Sequence, residues 1–244
     1  MLNKENYRQS KFKNPLITVI TVVRNGEDTL EKTILSVINQ TYTNIEYIII
    51  DGASTDSTLK IIKKYNDKIT YWTSEPDNGI YDAMNKGIEI STGEWINFMN
   101  AGDTFYNENV ITNILHYLNS DFDIVFGLRN NQKRKKKINV NWWFLFKNMG
   151  ICHQTIFSRK NCLLEKFDLR YRIASDFNWI LSVYSNEAKF KFVDIIIVNY
   201  DSNGISKKEV KLTQNEFKKI LCLHFPYIMV LIRTILWRIK SFKN

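Results

Sequence analysis

Apolar residues in this chain fall into short β-branched runs separated by stretches of helical period. Residues 17–23, Ile-Thr-Val-Ile-Thr-Val-Val, read as a strand buried on both faces. Glu27 and Asp28 then open a helix that places Leu30, Ile34, Val37 and Ile38 on one side. Residues 45–50 make a second strand, closing at Asp51-Gly52. Ser54-Thr55-Asp56 carries turn and cap chemistry ahead of a helix with Leu59 and Ile62 inward. A short strand over 69–73, a helix over 79–90 and a strand over 94–99 follow. Strands alternating with helices predict a parallel sheet of the nucleotide-binding type. Right-handed crossovers then bring the strand-end loops to one edge.

The second half is less regular. A helix is predicted over 107–118, a strand over 122–127, a helix over 176–184 with Ile180, Leu181 and Tyr184 on one side, and a strand over 190–200. The run Gln132-Lys133-Arg134-Lys135-Lys136-Lys137 reads as a basic hairpin tip, and Trp142, Trp143, Phe144, Leu145 and Phe146 come soon after. From 216 to 244 the character changes. Leu221, Leu223, Phe225, Tyr227, Ile228, Met229, Val230, Leu231 and Ile232 crowd together, with Arg233, Arg238, Lys240 and Lys243 beyond. The uncharged stretch is short for a membrane span. A basic amphipathic helix lying in a membrane interface fits it. The plainer alternative is a terminal helix docked on the protein's own core. The predicted organisation is a polar tail over 1–14, one large domain over 15–210 and amphipathic helices over 211–244.

Composition narrows this picture only slightly. A chain of 244 residues with 44% hydrophobic and 24% charged residues folds around a sizeable core. Its net charge of +9 suits nucleic acid, anionic lipid and phosphorylated substrates alike. A single basic run without a nucleic-acid reader motif argues against the first. Cys152, Cys162 and Cys222 show no metal-ligand spacing and fit free thiols in a reducing compartment. Residues 1–14 lack the apolar core of a signal peptide, so the expected location is the cytoplasm. Neither an internal repeat nor an oligomeric state can be read from the pattern.

Candidate chemistry collects at the predicted strand ends. The apolar run Trp95, Ile96, Phe98, Met99 stops at Asn100-Ala101-Gly102-Asp103. A carboxylate just past a strand can chelate a hard cation that also takes phosphate oxygens. It can equally be a helix cap or Asx turn. Thr21, Val23 and Asn25 after the first strand, Asp51 after the second, and Asn100 and Ala101 after the fourth should converge with the segment carrying Asp82, Asn85 and Lys86. That set suits a ligand with ribose hydroxyls and a metal-bridged diphosphate. The chain has no Gly-rich dinucleotide fingerprint and no P-loop, which argues against a nicotinamide enzyme or an ATPase.

Ordered blocks sharpen this reading: Ile-Thr-Val-Ile-Thr-Val-Val-Arg-Asn, Ser-Val-Ile-Asn-Gln-Thr-Tyr, Ile-Asp-Gly-Ala-Ser-Thr-Asp-Ser-Thr, Ser-Glu-Pro-Asp-Asn-Gly-Ile-Tyr-Asp-Ala-Met-Asn-Lys-Gly and Phe-Met-Asn-Ala-Gly-Asp. With them, residues 15–105 resemble the donor-binding half of a family 2 glycosyltransferase of the GT-A fold, an α/β architecture with a Rossmann-like, mostly parallel sheet. More narrowly, they resemble bacterial enzymes of O-antigen and capsule synthesis. The likeness continues loosely through Cys152-His153-Gln154-Thr155 and Ala174-Ser175-Asp176-Phe177, across an acceptor half at 106–210.

The resemblance implies inverting transfer from a nucleotide-sugar, most often a UDP-sugar. Thr21 and Asp51 would hold the nucleobase and ribose, with Asn85 and Lys86 near the donor. Asp103 matches the last carboxylate of the family's Asp-any-Asp metal motif, for Mn²⁺ or Mg²⁺. The first carboxylate is replaced by an amide or a small residue within Asn100 to Gly102. Asp176 matches the catalytic base, with Ser175 where the family has a second acid; locally it also fits a helix cap. His153 and Gln154 fall near the diphosphate or acceptor. Trp142 lines an acceptor groove, enters a membrane interface or joins the core. The expected partners are a lipid-linked saccharide acceptor and an anionic membrane surface on the inner face of the cell membrane, with no nucleic acid. A non-catalytic subunit of a polysaccharide assembly complex is the alternative.

Overall fold

The computed structural model describes residues 14–130, 138–147, 151–200 and 209–231. The centre is strand β1 (Ile17–Val23), in which every residue is buried. It pairs in parallel with β2 (Ile45–Asp51) on one side and β4 (Trp95–Phe98) on the other. Outside β2 lies β3 (Tyr71–Ser74), also parallel. Beyond β4 the sheet continues through β7 (Ile156–Arg159), β6 (Ile124–Arg129), β8 (Phe190–Asn199) and the two-residue β5 (Thr104–Phe105). Strand β7 runs antiparallel to both β4 and β6, so the parallel character of the first half ends there.

Helices cover both faces, and strand parity decides which side chains meet them. On one face Val19 and Val23 of β1 pack with α1 (Leu30–Ile38), α2 (Thr58–Lys64) and α4 (Val110–Ile114), through Leu30, Ile34, Ile62 and Ile111. On the other face Ile20 and Val22 meet α3 (Ile80–Ile90), α5 (Trp142–Lys147), α6 (Ser175–Ser185) and α7 (Val210–His224). Burying an Ile34-sized side chain contributes about 1.5–3 kcal/mol.

Register positions the site. Val23 of β1 lies level with Asp51 of β2, while Ile20 lies level with Phe98 at the end of β4. The chain leaving β4 therefore runs beside the last residues of β1, where the Ala101 N–H donates to the Val22 carbonyl.

Several predicted elements shift. Strand β3 starts two residues late, because Thr70 turns its N–H and hydroxyl to the Tyr47 backbone. The expected 107–118 helix shrinks to α4 and a following 3₁₀ turn (Leu115–Tyr117). Asn107 there forms an Asx turn to the Asn109 N–H, and Gln40 takes the Ile111 N–H. The expected strands over 94–99 and 190–200 lose one residue or two at their ends, that over 122–127 moves to Ile124–Arg129, and β5, β7 and α5 are not among the expected elements.

The C-terminal segment is corrected in part. Over α7 it docks on α6, with Glu216, Ile220 and Leu221 buried and Phe225 covered beyond it. Leu223, Tyr227, Ile228 and Leu231 stay exposed. Among the described residues no helix is long and apolar enough to cross a membrane. The basic run at 132–137, the tail at 1–13 and residues 232–244 lie outside the described residues.

Candidate active site

Two loops at the carboxyl edge lock each other. Asn25 adopts φ +52°, a left-handed conformation that asparagine tolerates. Its N–H donates to Ser54 Oγ at 2.7 Å, and its Oδ1 accepts the Thr55 N–H at 2.9 Å. Next along the chain, the Gly26 N–H donates to Thr58 Oγ1 at 2.8 Å and the Glu27 N–H to Asp56 Oδ2 at 3.1 Å. Asp51 anchors the assembly from below. Its carboxylate is wholly buried and accepts the Ser54 hydroxyl and N–H and the Ser74 hydroxyl. Gly52 lets the Asp77 carboxylate lie close, since a Cβ there would meet Asp77 Oδ2 at 2.2 Å and push it aside. Asp77 in turn accepts the Gly79 N–H that precedes α3. Lys86 pairs with Glu75 at 2.8 Å and donates to the Pro76 carbonyl. The Glu75 carboxylate pushes its pKa above the ordinary lysine value.

A second network joins the loop after β4 to the other half. Gly102 takes φ +102°, which lets Asn100 and Asp103 turn back toward the sheet. Thr33 of α1 fixes this turn by accepting the Gly102 N–H and donating to the Asp103 carbonyl. Asp103 Oδ2 accepts Gln154 Nε2 at 2.8 Å. Asn100 Nδ2 lies 2.8 Å from His153 Nε2, and His153 Nδ1 lies 2.8 Å from Asp176 Oδ2. In the neutral imidazole that satisfies both contacts, Nδ1–H donates to Asp176 and Nε2 accepts from Asn100. Asp176 Oδ1 takes the Phe177 N–H at 2.8 Å and the Tyr81 hydroxyl at 3.0 Å. Burial, then the Asp176 charge, holds the Tyr81 pKa well above the usual phenol range. Burial likewise pushes the Cys152 thiol up to about 12, with Asp176 adding to the effect. The side chains of His153 and Asp176 are 12% and 18% exposed, enough for a substrate atom to reach them.

The structure brings together Asn100, Asp103, His153, Gln154 and Asp176, which lie far apart in sequence. It places Asp82 in the first turn of α3, where its carboxylate accepts the Asn78 N–H. Ala101 is half-buried beside β1, and the Val23 side chain is buried. Two expectations change. Thr21 is wholly buried and spends its hydroxyl on the Met99 carbonyl and Tyr47 Oη, so its side chain is a core strut under the loops. Asn85 uses both ends of its amide on the Phe167 backbone, at 2.9 Å each, and ties α3 to the second half. The Trp142 ring packs edge-on against Tyr184 and Phe225, at 4.8 and 5.3 Å, at the rim of the core, and stays 40% exposed.

Sequence reasoning missed Thr33, Tyr81, Asn97 and Glu216. Asn97 carried a signal: an amide inside an apolar strand needs a buried partner. Its Nδ2 donates to the Gln154 and Ile156 carbonyls and so fixes the backbone beside His153.

The donor set is hard oxygen. Among the described residues no cluster of three or more His, Cys, Asp or Glu could hold a metal. Asn100 Oδ1, however, is buried without a hydrogen-bond partner, on the same turn as the Asp103 carboxylate. An amide oxygen and a carboxylate fit a divalent cation that completes its shell with phosphate oxygens and water.

Solved structures share this arrangement of strands and helices. The 1–349 fragment of S. aureus TarS, in complex with UDP-GlcNAc, superimposes with a TM-score of 0.70 at 18% identity, over 85% of this chain and 64% of that one. The Pyrobaculum calidifontis mannosyltransferase PcManGT, in complex with GDP-Man and Mn²⁺, gives a TM-score of 0.70 at 14% identity, over 85% and 63%. The chain thus spans about two thirds of each. The fold is GT-A, the nucleotide-sugar-dependent glycosyltransferase architecture. Residues 18–174 match the profile described as Glycosyl transferase family 2, and the chain belongs to that family. An uncharacterized glycosyltransferase of Mycobacterium tuberculosis is 38% identical over 227 residues, covering 87% of this chain and 86% of its own. A PGL/p-HBAD biosynthesis glycosyltransferase of Mycobacterium bovis is 27% identical over 205 residues, 78% of each chain.

Proposed function

We propose that this glycosyltransferase moves a sugar, with inversion, from a UDP-sugar to a lipid-linked glycan in bacterial surface-polysaccharide synthesis such as O-antigen or capsule. Residues 15–105 form the donor half and 106–210 the acceptor half. The observation that carries the reading is the run of contacts from Asn100 through His153 to Asp176, beside Asp103. It sets a base next to a turn suited to a diphosphate.

A carboxylate offers about four lone-pair directions. Phe177 and His153 donate to Asp176, and the single Tyr81 hydroxyl proton is shared between Asp176 and the nearer Ile173 carbonyl. One direction remains for an acceptor hydroxyl. As that oxygen bonds to the anomeric carbon, its proton passes to Asp176 and the bond from the sugar to the diphosphate oxygen breaks. The network fixes the carboxylate in place, and such positioning supplies much of the rate. Asp103 and the Asn100 amide oxygen would hold Mn²⁺ or Mg²⁺, which when bound neutralises charge on the departing diphosphate. Lys86 and the loops around Asn25 and Asp51 face the nucleotide through backbone and side-chain groups.

The lipid-linked acceptor is supported by the exposed Leu223 at the end of α7 and the exposed Tyr227, Ile228 and Leu231 beyond it. With Arg233, Arg238, Lys240 and Lys243 following in sequence, they suit an anionic membrane on its cytoplasmic face. The UDP choice rests on the family resemblance, since the fold is shared equally with a UDP-GlcNAc complex and a GDP-Man complex.

Calorimetry with UDP, GDP and their sugars, in Mn²⁺, Mg²⁺ or EDTA, tests the reading. Metal-dependent binding of UDP and one UDP-sugar is expected. Absence of nucleotide binding under every condition overturns it.

A further inference from the structure

The C-terminal helix reaches into the backbone that presents Asp176. Glu216, in the middle of α7, is 5% exposed. Its Oε1 accepts the Arg172 N–H at 2.8 Å, and its Oε2 accepts the N–H groups of Ile173 and Ala174 at 2.9 and 3.0 Å. Those residues immediately precede α6, whose second residue is Asp176. The Ile173 carbonyl is held in turn by the Tyr81 hydroxyl, at 2.7 Å, the same hydroxyl that reaches Asp176. Ile173 is therefore gripped at its N–H by one helix and at its C=O by another.

Further contacts run along the same seam. Arg172 pairs with Glu209 at 3.2 Å, the Phe217 and Phe177 rings lie 5.0 Å apart, and His224 meets Asn178 at 3.1 Å. Apolar residues alone would dock α7 without burying a charge, and such replacements are often neutral or stabilising. The carboxylate adds something packing lacks: three charge-assisted hydrogen bonds to consecutive N–H groups, which fix the backbone in direction as well as place.

We infer that Glu216 is a positioning residue for the reaction, setting where Asp176 stands through the 172–174 backbone. This rests on the reading of Asp176 as the base. It makes α7 part of the catalytic apparatus, beyond any part it takes in membrane attachment.

A double-mutant cycle on the full chain tests this. UDP release is followed from UDP-glucose and UDP-GlcNAc, with octyl glucoside or water as acceptor, and UDP binding is measured in parallel. Glu216→Gln keeps the shape but turns an amide N–H₂ toward backbone N–H groups. It should lower kcat about 10- to 100-fold, as displacements near 1 Å do. The donor KM and UDP affinity should stay unchanged. In an Asp176→Asn background the same change should cost nothing more, because its effect passes through Asp176.

Wild-type kcat in Glu216→Gln, or its full loss repeated on top of Asp176→Asn, overturns the inference. Should Glu216→Gln lose UDP binding, Glu216→Met decides, since it docks α7 by packing and releases the loop. Unchanged kcat there overturns the proposal, and a kcat loss with UDP binding intact supports it. Full turnover by Asp176→Asn alone sinks the base assignment instead, and is thereby told apart from failure at Glu216.

Discussion

The loops after β1 and β2 hold each other over about thirty residues of chain, as Asn25 with Ser54 and Thr55 and Glu27 with Asp56 and Ser57 show. The second half works differently. Asp176 is held by Tyr81 from 95 residues away, and its loop by Glu216 from more than 40 away. The first set is thus a pair of loops closed on each other over a regular parallel sheet. The Asp176 network is assembled where strand direction reverses and three elements meet. The first arrangement suits a constant part of the ligand, such as a nucleotide. The second lets one carboxylate be aimed by several independent contacts, while the surrounding loops vary with the acceptor.

The comparison breaks most visibly at Asp176. Asp176→Asn should lower turnover by about 10²–10⁴ and leave nucleotide binding intact. A nucleotide affinity that fell with turnover would mean that the two halves do not divide the work. Next comes the turn after β4. Asp103→Ala should abolish the metal-dependent part of UDP binding, whereas Gln154→Ala, removing only its partner, should weaken it about 10- to 100-fold. Calorimetry with and without EDTA reads both, and binding indifferent to EDTA in the native chain removes the metal from the account.

The donor loops should show a smaller effect, on stability more than on chemistry. Asn25→Ala puts a residue that tolerates the left-handed conformation less well at this position and deletes the bond to Thr55, at a cost of about 1–2 kcal/mol. Urea unfolding measures it, and an unchanged midpoint would show that the loop lock contributes nothing. The smallest effect concerns the thiols. With Cys152 pushed up to about 12 by burial first and Asp176 next, it carries almost no thiolate at pH 8. Iodoacetamide at that pH should label the exposed Cys222 and spare Cys152, as peptide mass mapping would show. Equal labelling would mean that the site opens to solvent.

Much was legible in one dimension because it is written locally. The β-branched run at 17–23, the helical spacing of Leu30, Ile34 and Val37, and the stop at Asn100 to Asp103 each state their element within a few residues. The motif blocks identified the family, and the residues they singled out, Asp103, His153 and Asp176, lie in neighbouring hydrogen-bond contacts. Only the tertiary structure decided how polar groups are spent. Thr21, Asn85 and Asp51 look alike as polar residues near strand ends or a helix start. Yet the Thr21 hydroxyl supports the core, the Asn85 amide staples the halves, and the Asp51 carboxylate braces a loop. Glu216 looked like one more charge on an amphipathic helix, and that helix like a membrane segment, until its partners at 172–174 were in view. The physical reason is range. Hydrophobic period is a property of neighbours in sequence, whereas a buried hydrogen bond is decided by what the fold brings to within 3 Å from anywhere in the chain.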